Sequence, residues 1–203
     1  MDALIWIANM VNSAVQKAAE NGLEAAIVRA LGPRSVVLVG MMGAGKSSIG
    51  RRLASRLGVS FVDADSEIEN AAGMTIPEIF EQHGEQYFRD GEARVIARLM
   101  ESGPQVLATG GGAVMTQRTR DLIRNKGVSV WLKADVEVLA KRTKRRNDRP
   151  LADRLKELLP QREPIYALSD IAVQSRDEPH DLIVGEILAA LVKHLGVTGE
   201  EQP

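Results

Sequence analysis

Apolar residues along this chain follow two alternating patterns. Short unbroken runs at 35–39, 59–62, 106–109, 128–132 and 171–174 have the length and β-branched content of buried strands. Between them apolar residues recur every three or four positions, as in Ile49, Leu53 and Leu57, which is the period of a helix with one buried face. The first such helix is expected to stop at Gly58, and others are expected over 65–72, 76–100, 117–126, 136–144, 154–166 and 179–195. This alternation predicts an α/β fold in three layers, a parallel five-stranded sheet with helices on both faces. Ligands of such sheets collect outside the carboxyl ends of the strands, so the loops there should hold the chemistry.

Residues 1–33 break the alternation. Leu4, Ile5, Ile7, Val11, Val15, Ala18 and Ala19 approximate one helical face, Asn21-Gly22 interrupts it, and 23–31 resumes it. A helical N-terminal extension is expected, packed on the domain or on a second subunit. The chain is therefore expected to be a monomer, with a dimer through the extension as the alternative. The domain proper is expected over 34–197, with a frayed polar tail at 198–203.

Composition narrows the function by exclusion. In 203 residues, 26 Lys and Arg stand against 27 Asp and Glu, so no global charge draws the chain to nucleic acid or to an anionic membrane. Cysteine is absent, which removes disulfides, thiolate zinc sites and a cysteine nucleophile. His83, His180 and His194 are too scattered in sequence to read as a metal site. Asp2 stands where a secretory signal would be basic, and the early apolar stretch is too short to span a bilayer, so a cytoplasmic protein is expected.

The chemistry is concentrated at the end of the first strand. Gly40-Met41-Met42-Gly43-Ala44-Gly45-Lys46-Ser47 fits the G-x-x-x-x-G-K-[S/T] phosphate-binding pattern, between a strand and a helix as that motif requires. Glycines let backbone N–H groups curl around a phosphate, and the helix that begins there adds its positive end. Lys46 can reach the β- and γ-phosphates, and the Ser47 hydroxyl is placed to ligand Mg²⁺. Polar residues follow two further strands, as Asp63-Ala64-Asp65 and Thr109-Gly110-Gly111-Gly112. A GTP switch is disfavoured, because Asn125-Lys126 continues as Gly127-Val128 and not as the base-reading motif. What remains is a compact phosphoryl-transfer enzyme. Arg89, Arg149 and Arg162 suit the carboxylate or phosphate of an acceptor, and Asp63 and Asp65 could accept hydrogen bonds from its hydroxyls. Each arginine also has a plainer reading as the ion-pair partner of a neighbour such as Glu92 or Glu163.

Taken together these segments resemble shikimate kinase over residues 34–195. The resemblance rests on the phosphate loop with Ile49-Gly50-Arg51, on Phe61-Val62-Asp63-Ala64-Asp65, and on Ile76 to Phe80 leading to Gly84-Glu85 and Tyr87-Phe88-Arg89. It rests also on Gly110-Gly111-Gly112-Ala113-Val114, on Asp148-Arg149-Pro150-Leu151, and on Arg162-Glu163-Pro164-Ile165-Tyr166. It implies a P-loop kinase fold like that of nucleoside monophosphate kinases, and ATP-dependent phosphorylation of the shikimate 3-hydroxyl with Mg²⁺. By position, Gly43, Ala44, Gly45, Lys46, Ser47 and Ser48 would hold the ATP phosphates, Ser47 and Asp63 the metal. Arg142 and Arg176 would approach the adenine. Asp65 would meet the reacting hydroxyl as the candidate base. Arg89 and Arg162 would clamp the acid, Gly110, Gly111 and Gly112 would line its site, and Ile76, Phe80 and Phe88 would form an apolar floor. Arg149 would reach the transferring phosphate from a lid near 143–155. Helical spacing makes Ile76, Phe80 and Phe88 equally ordinary core. A gluconate-type kinase on the same scaffold, or a nucleotide-binding regulatory protein without turnover, are the rival readings.

Overall fold

The structure, a computed structural model, describes residues 22–144 and 149–197, with the side chains of 144 and 149–154 outside that set. Helix α1 occupies 22–31, and β1 (Ser35–Val39), α2 (Lys46–Leu57), β2 (Ser60–Asp63), α3 (Ala64–Ala72) and α4 (Ile76–Leu99) follow. After β3 (Gln105–Ala108) come one 3₁₀ turn at Ala113–Met115, α5 (Gln117–Lys126), β4 (Gly127–Lys133), α6 (Val136–Lys144), α7 (Arg149–Tyr166), β5 (Ile171–Gln174) and α8 (His180–Leu195).

All strand pairings are parallel, in the order β2-β3-β1-β4-β5. β1 is central and covered on both faces, which explains its unbroken apolar run: Val36, Val37, Leu38 and Val39 are at most 1 % exposed. Edge strand β5 instead alternates buried and open positions, because fewer elements cover it. The chain builds β2 and β3 on one side of β1, then crosses to lay down β4 and β5 on the other. The carboxyl end of β1 therefore opens into the crevice where such sheets bind ligands.

One large apolar cluster fills the space between sheet and helices. Ile27 and Leu31 of α1 belong to it, so the second half of the expected N-terminal extension is part of the main core; Glu24 on the same helix pairs with Arg56 at 2.5 Å. The residues expected to form the first half of that extension, Leu4 to Ala19, lie outside the described set. A smaller cluster forms under α3 and α4, where Ile68, Ile79 and Phe88 are buried and Ile76 and Phe80 pack against them.

Several bounds differ from the sequence reading. The single helix expected over 76–100 is kinked at Gly84, whose φ of 79° is left-handed, so its two halves need not share one apolar stripe. Helix α7 begins at Arg149 instead of 154 and contains Pro160 and Pro164, each of which forgoes one intrahelical hydrogen bond. Strands β2 and β3 are each shifted by one residue, and α3 begins at Ala64 because Asp63 caps it, accepting from the Asp65 N–H at 3.2 Å.

Candidate active site

The phosphate loop runs from β1 into α2. Gly40 has φ 135°, and a Cβ there would stand 2.7 Å from the Leu132 carbonyl, so the turn out of the sheet excludes any side chain. Gly45 occupies the cap position of α2 without a side-chain cap, and no acidic residue sits in the first turn. The positive end of α2 is thus left open to an external anion. Lys46 folds back across the loop, its Nζ donating to the carbonyls of Gly40 at 2.8 Å and Met41 at 2.9 Å. Burial pushes its ammonium down to about 8, against the pull of the Asp65 and Asp63 carboxylates, so it titrates far more readily than an exposed lysine. The Ser47 hydroxyl donates to Asp63 Oδ2 at 2.7 Å, which ties the phosphate loop to the end of β2.

Asp65 stands two residues beyond Asp63, on the first turn of α3. Burial, reinforced by the Asp63 charge, raises its pKa, while Lys46 and Arg89 oppose the rise. The loop after β3 passes directly over it: a Cβ on Gly110 would lie 2.7 Å from Asp65 Oδ1 and 3.0 Å from Glu92 Oε1. A Cβ on Gly112 would lie 2.5 Å from the Arg89 guanidinium, and one on Gly111 would lie 3.6 Å from Arg162 Nη1. Three consecutive glycines thereby give close access to one carboxylate pair and two arginines arriving from α3, α4 and α7. Arg89 is held by Glu92 at 2.7 Å and Glu85 at 3.2 Å. Its plain ion-pair reading and its functional one are therefore compatible. The Glu163 alternative for Arg162 is not what the fold builds, because Glu163 pairs with Lys133 at 2.6 Å. Arg162 Nη1 instead donates to the Gly111 carbonyl at 3.4 Å.

A cleft of about 560 Å³ opens between the phosphate loop, Asp65 and Gly111, while Arg89, Arg162, Gly110 and Gly112 stand behind its lining at the glycine loop. Its walls include Gly43, Gly45, Lys46, Ser47, Ser48, Asp63, Asp65, Gly111 and Arg142 from the sequence reading. Ala44 is buried beneath the loop. Arg142 donates to the Gly43 carbonyl at 3.3 Å, to Ser175 Oγ at 3.0 Å and to the Arg176 carbonyl at 2.6 Å. The Arg176 guanidinium turns elsewhere, to Glu178 and Glu186. Ile76, Phe80 and Phe88 gather in the smaller apolar cluster beside Arg89, with the Arg89 guanidinium 5.1 Å from the Phe88 ring centre. The Arg149 side chain and most of the expected lid lie outside the described residues.

Sequence reading missed some participants. Glu92 is 2 % exposed, and burial raises its pKa against the pull of Arg89; it was visible in the sequence only as an ordinary i, i+3 partner. Buried Ser175 bridges Arg142 and the Ala44 carbonyl, and Tyr166 donates to the Gly111 carbonyl at 2.5 Å. His180 lines the cleft at the start of α8, where burial and the nearby Arg52 and Arg142 lower its pKa. As metal donors, Ser47 and Asp63 offer only oxygens, which suits a hard divalent cation. Among the described residues no group of three or more His, Cys, Asp or Glu could hold an ion unaided, so an ion here would need oxygens from a bound phosphate or water.

An open helix end beside a half-buried lysine suits a polyphosphate, and the arginines and carboxylates gathered at the glycine loop that borders the cleft suit a hydroxylated acid. Comparison with known proteins agrees. The shikimate kinase family model matches residues 42–192. A shikimate kinase of Bradyrhizobium diazoefficiens is 59 % identical over 186 residues, 89 % of this chain and 90 % of that protein. One from Rhodopseudomonas palustris is 60 % identical over 178 residues, 85 % of this chain and 88 % of that protein. Among solved structures, shikimate kinase from Acinetobacter baumannii in complex with shikimate superposes with a TM-score of 0.75 at 37 % identity, covering 79 % of this chain and 93 % of that one. Motif order, sheet topology and these likenesses converge: the chain belongs to the shikimate kinase family, transferases that phosphorylate shikimate with ATP in aromatic biosynthesis.

Proposed function

We propose that this chain moves the terminal phosphoryl group of ATP to the 3-hydroxyl of shikimate, with the work divided between the two walls of the cleft. On one wall the backbone of Gly43, Ala44 and Gly45 receives the phosphates, aided by Ser48, and Lys46 neutralises charge on the group in transit. Ser47 and Asp63 hold Mg²⁺, which when bound offsets phosphate charge and aligns the terminal group. Arg142 faces the adenine with its guanidinium pinned by two carbonyls and Ser175, and Arg176 contributes through the carbonyl that does part of that pinning.

On the other wall Asp65 orients the reacting hydroxyl and accepts its proton. Its raised pKa makes it a stronger base than an exposed aspartate, and its proximity to Lys46 keeps it ionised enough to act. Arg89 and Arg162 grip the acid through their planar forks, the backbone of Gly110, Gly111 and Gly112 borders the ring, and Ile76, Phe80 and Phe88 support it from below. Arg149 enters from the lid to meet charge developing on the phosphoryl group. The chain works as a cytoplasmic monomer. No helix among the described residues is long and apolar enough to cross a membrane.

The observation that carries this reading is the convergence of Lys46, Asp65 and Gly111 on one cleft, with Arg89 and Arg162 against the same glycine loop. An ADP-release assay with shikimate, gluconate and nucleoside monophosphates as acceptors tests it. Release is expected with shikimate alone, and release driven better by gluconate or by a nucleotide overturns it.

A further inference from the structure

Glycine loop 110–112 has no side chains with which to hold its own shape, yet two arginines and two carboxylates lie close against it. Its ends are tied: Thr109 donates to the Leu38 carbonyl through both N–H and hydroxyl, and the Ala113 N–H donates to the Gly110 carbonyl. The peptide between Gly111 and Gly112 is the free member, and glycine on both sides leaves little steric barrier to its rotation. Its carbonyl accepts from the Tyr166 hydroxyl at 2.5 Å and, more distantly, from Arg162 Nη1 at 3.4 Å. In a trans peptide C=O and N–H point in opposite directions, so fixing this carbonyl also aims the Gly112 N–H.

Tyr166 is built to hold that bond. It is fully buried, its ring stacks on Trp131 with centroids 6.0 Å apart, and its hydroxyl touches Met41 Sδ at 3.5 Å. Met41 belongs to the phosphate loop, and its carbonyl receives Lys46. One hydroxyl on α7 thus meets the loops of both walls, on the helix that also carries Arg162.

Resting on the function proposed above, we infer that Tyr166 is a positioning residue for the acceptor: its hydroxyl donates to the Gly111 carbonyl and accepts from Arg162, so that it locks the Gly111–Gly112 peptide and aims Arg162 at the shikimate carboxylate. Without the hydroxyl the half-buried carbonyl keeps, among the described residues, the Arg162 donor at 3.4 Å, and Arg162 loses the oxygen that aims it. Arg162 then closes on the carbonyl and one prong of the clamp is withdrawn from the acid. Burial raises the phenol pKa against the pull of Arg162 and Arg89, so the donor is retained throughout the range in which the enzyme would be assayed.

Tyr166→Phe removes one oxygen and keeps the ring. The expected result is a shikimate KM raised about five- to tenfold, with kcat and the ATP KM within about twofold of wild type. An unchanged shikimate KM in folded protein overturns the inference, as does a lowered melting temperature with both KM values unchanged, which is the signature of core filling alone. Should Tyr166→Phe fail to fold, Tyr87→Phe leaves Tyr166 as the sole tyrosine, and the chain can be produced with a multiply fluorinated, more acidic tyrosine. Its shikimate KM should then rise across the pH interval in which the phenol absorbance titrates, while the unfluorinated Tyr87→Phe chain shows no such rise. Parallel profiles overturn the inference. Wild-type protein with no shikimate turnover would instead remove the proposed function, a distinct result.

Discussion

Lys46 and Ser47 follow directly on the loop they serve, within the single stretch 40–47, whereas Asp65 and Gly111 reach the opposite wall from α3 and the loop after β3, with Arg89 of α4 and Arg162 of α7 against the same glycine loop. The phosphate wall relies on backbone N–H groups and a helix end, whose direction is set as soon as the turn forms. The acceptor wall relies on side chains, whose direction depends on what packs around them. Arg89 is aimed by Glu92 and Glu85, and the glycine loop by Tyr166. A local device thus faces a tertiary one, so damage to each should show in different kinetic constants.

The largest effect is expected from Lys46→Ala. It removes the cation of the phosphate wall and should lower kcat about 10³-fold with the melting curve little changed. A loss under tenfold would show that the backbone cradle suffices without it. Asp65→Asn comes next, with kcat down about 10²-fold because the proton acceptor is gone while the shape is retained. If only the shikimate KM moved, Asp65 would be an orienting group and not a base. Arg162→Lys should raise the shikimate KM about tenfold with kcat nearly unchanged, since a lysine keeps charge but loses the two-pronged geometry. Unchanged KM would detach Arg162 from the clamp.

The smallest effect concerns pH. Lys46 titrates near 8 in the free protein, protonated and positive below that value and neutral above it. A polyphosphate prefers the charged form, so kcat/KM for ATP should fall with rising pH, by about twofold between pH 7 and pH 8 as the protonated fraction drops from about nine-tenths to one-half. A profile flat through pH 9 would mean that Lys46 stays charged throughout.

The same contrast separates what could be read from the chain from what could not. Strand runs such as 35–39 and the stop at Gly58 are short-range patterns, as is the phosphate loop itself. The kink at Gly84 was hidden because its sequence neighbours keep helical spacing on both sides. Glu92 looked like a routine partner of Arg89, and nothing in its neighbourhood shows that folding brings it beside Gly110 and Asp65. Arg176 resembled an adenine ligand by position, but side chains of Glu178 and Glu186 take its guanidinium and only its carbonyl faces inward, toward Arg142.

From sequence alone followed the alternation that makes a five-stranded parallel sheet and the loop that receives phosphate, because both depend on backbone geometry set by residues within a turn or a strand of one another. Only the tertiary structure decided which carboxylate aims Arg89, which hydroxyl holds the Gly111 carbonyl, and that Glu163 leaves Arg162 for Lys133. These pairings join residues on different elements or depend on how an element is packed, and burial and direction there are fixed by packing, not by spacing along the chain.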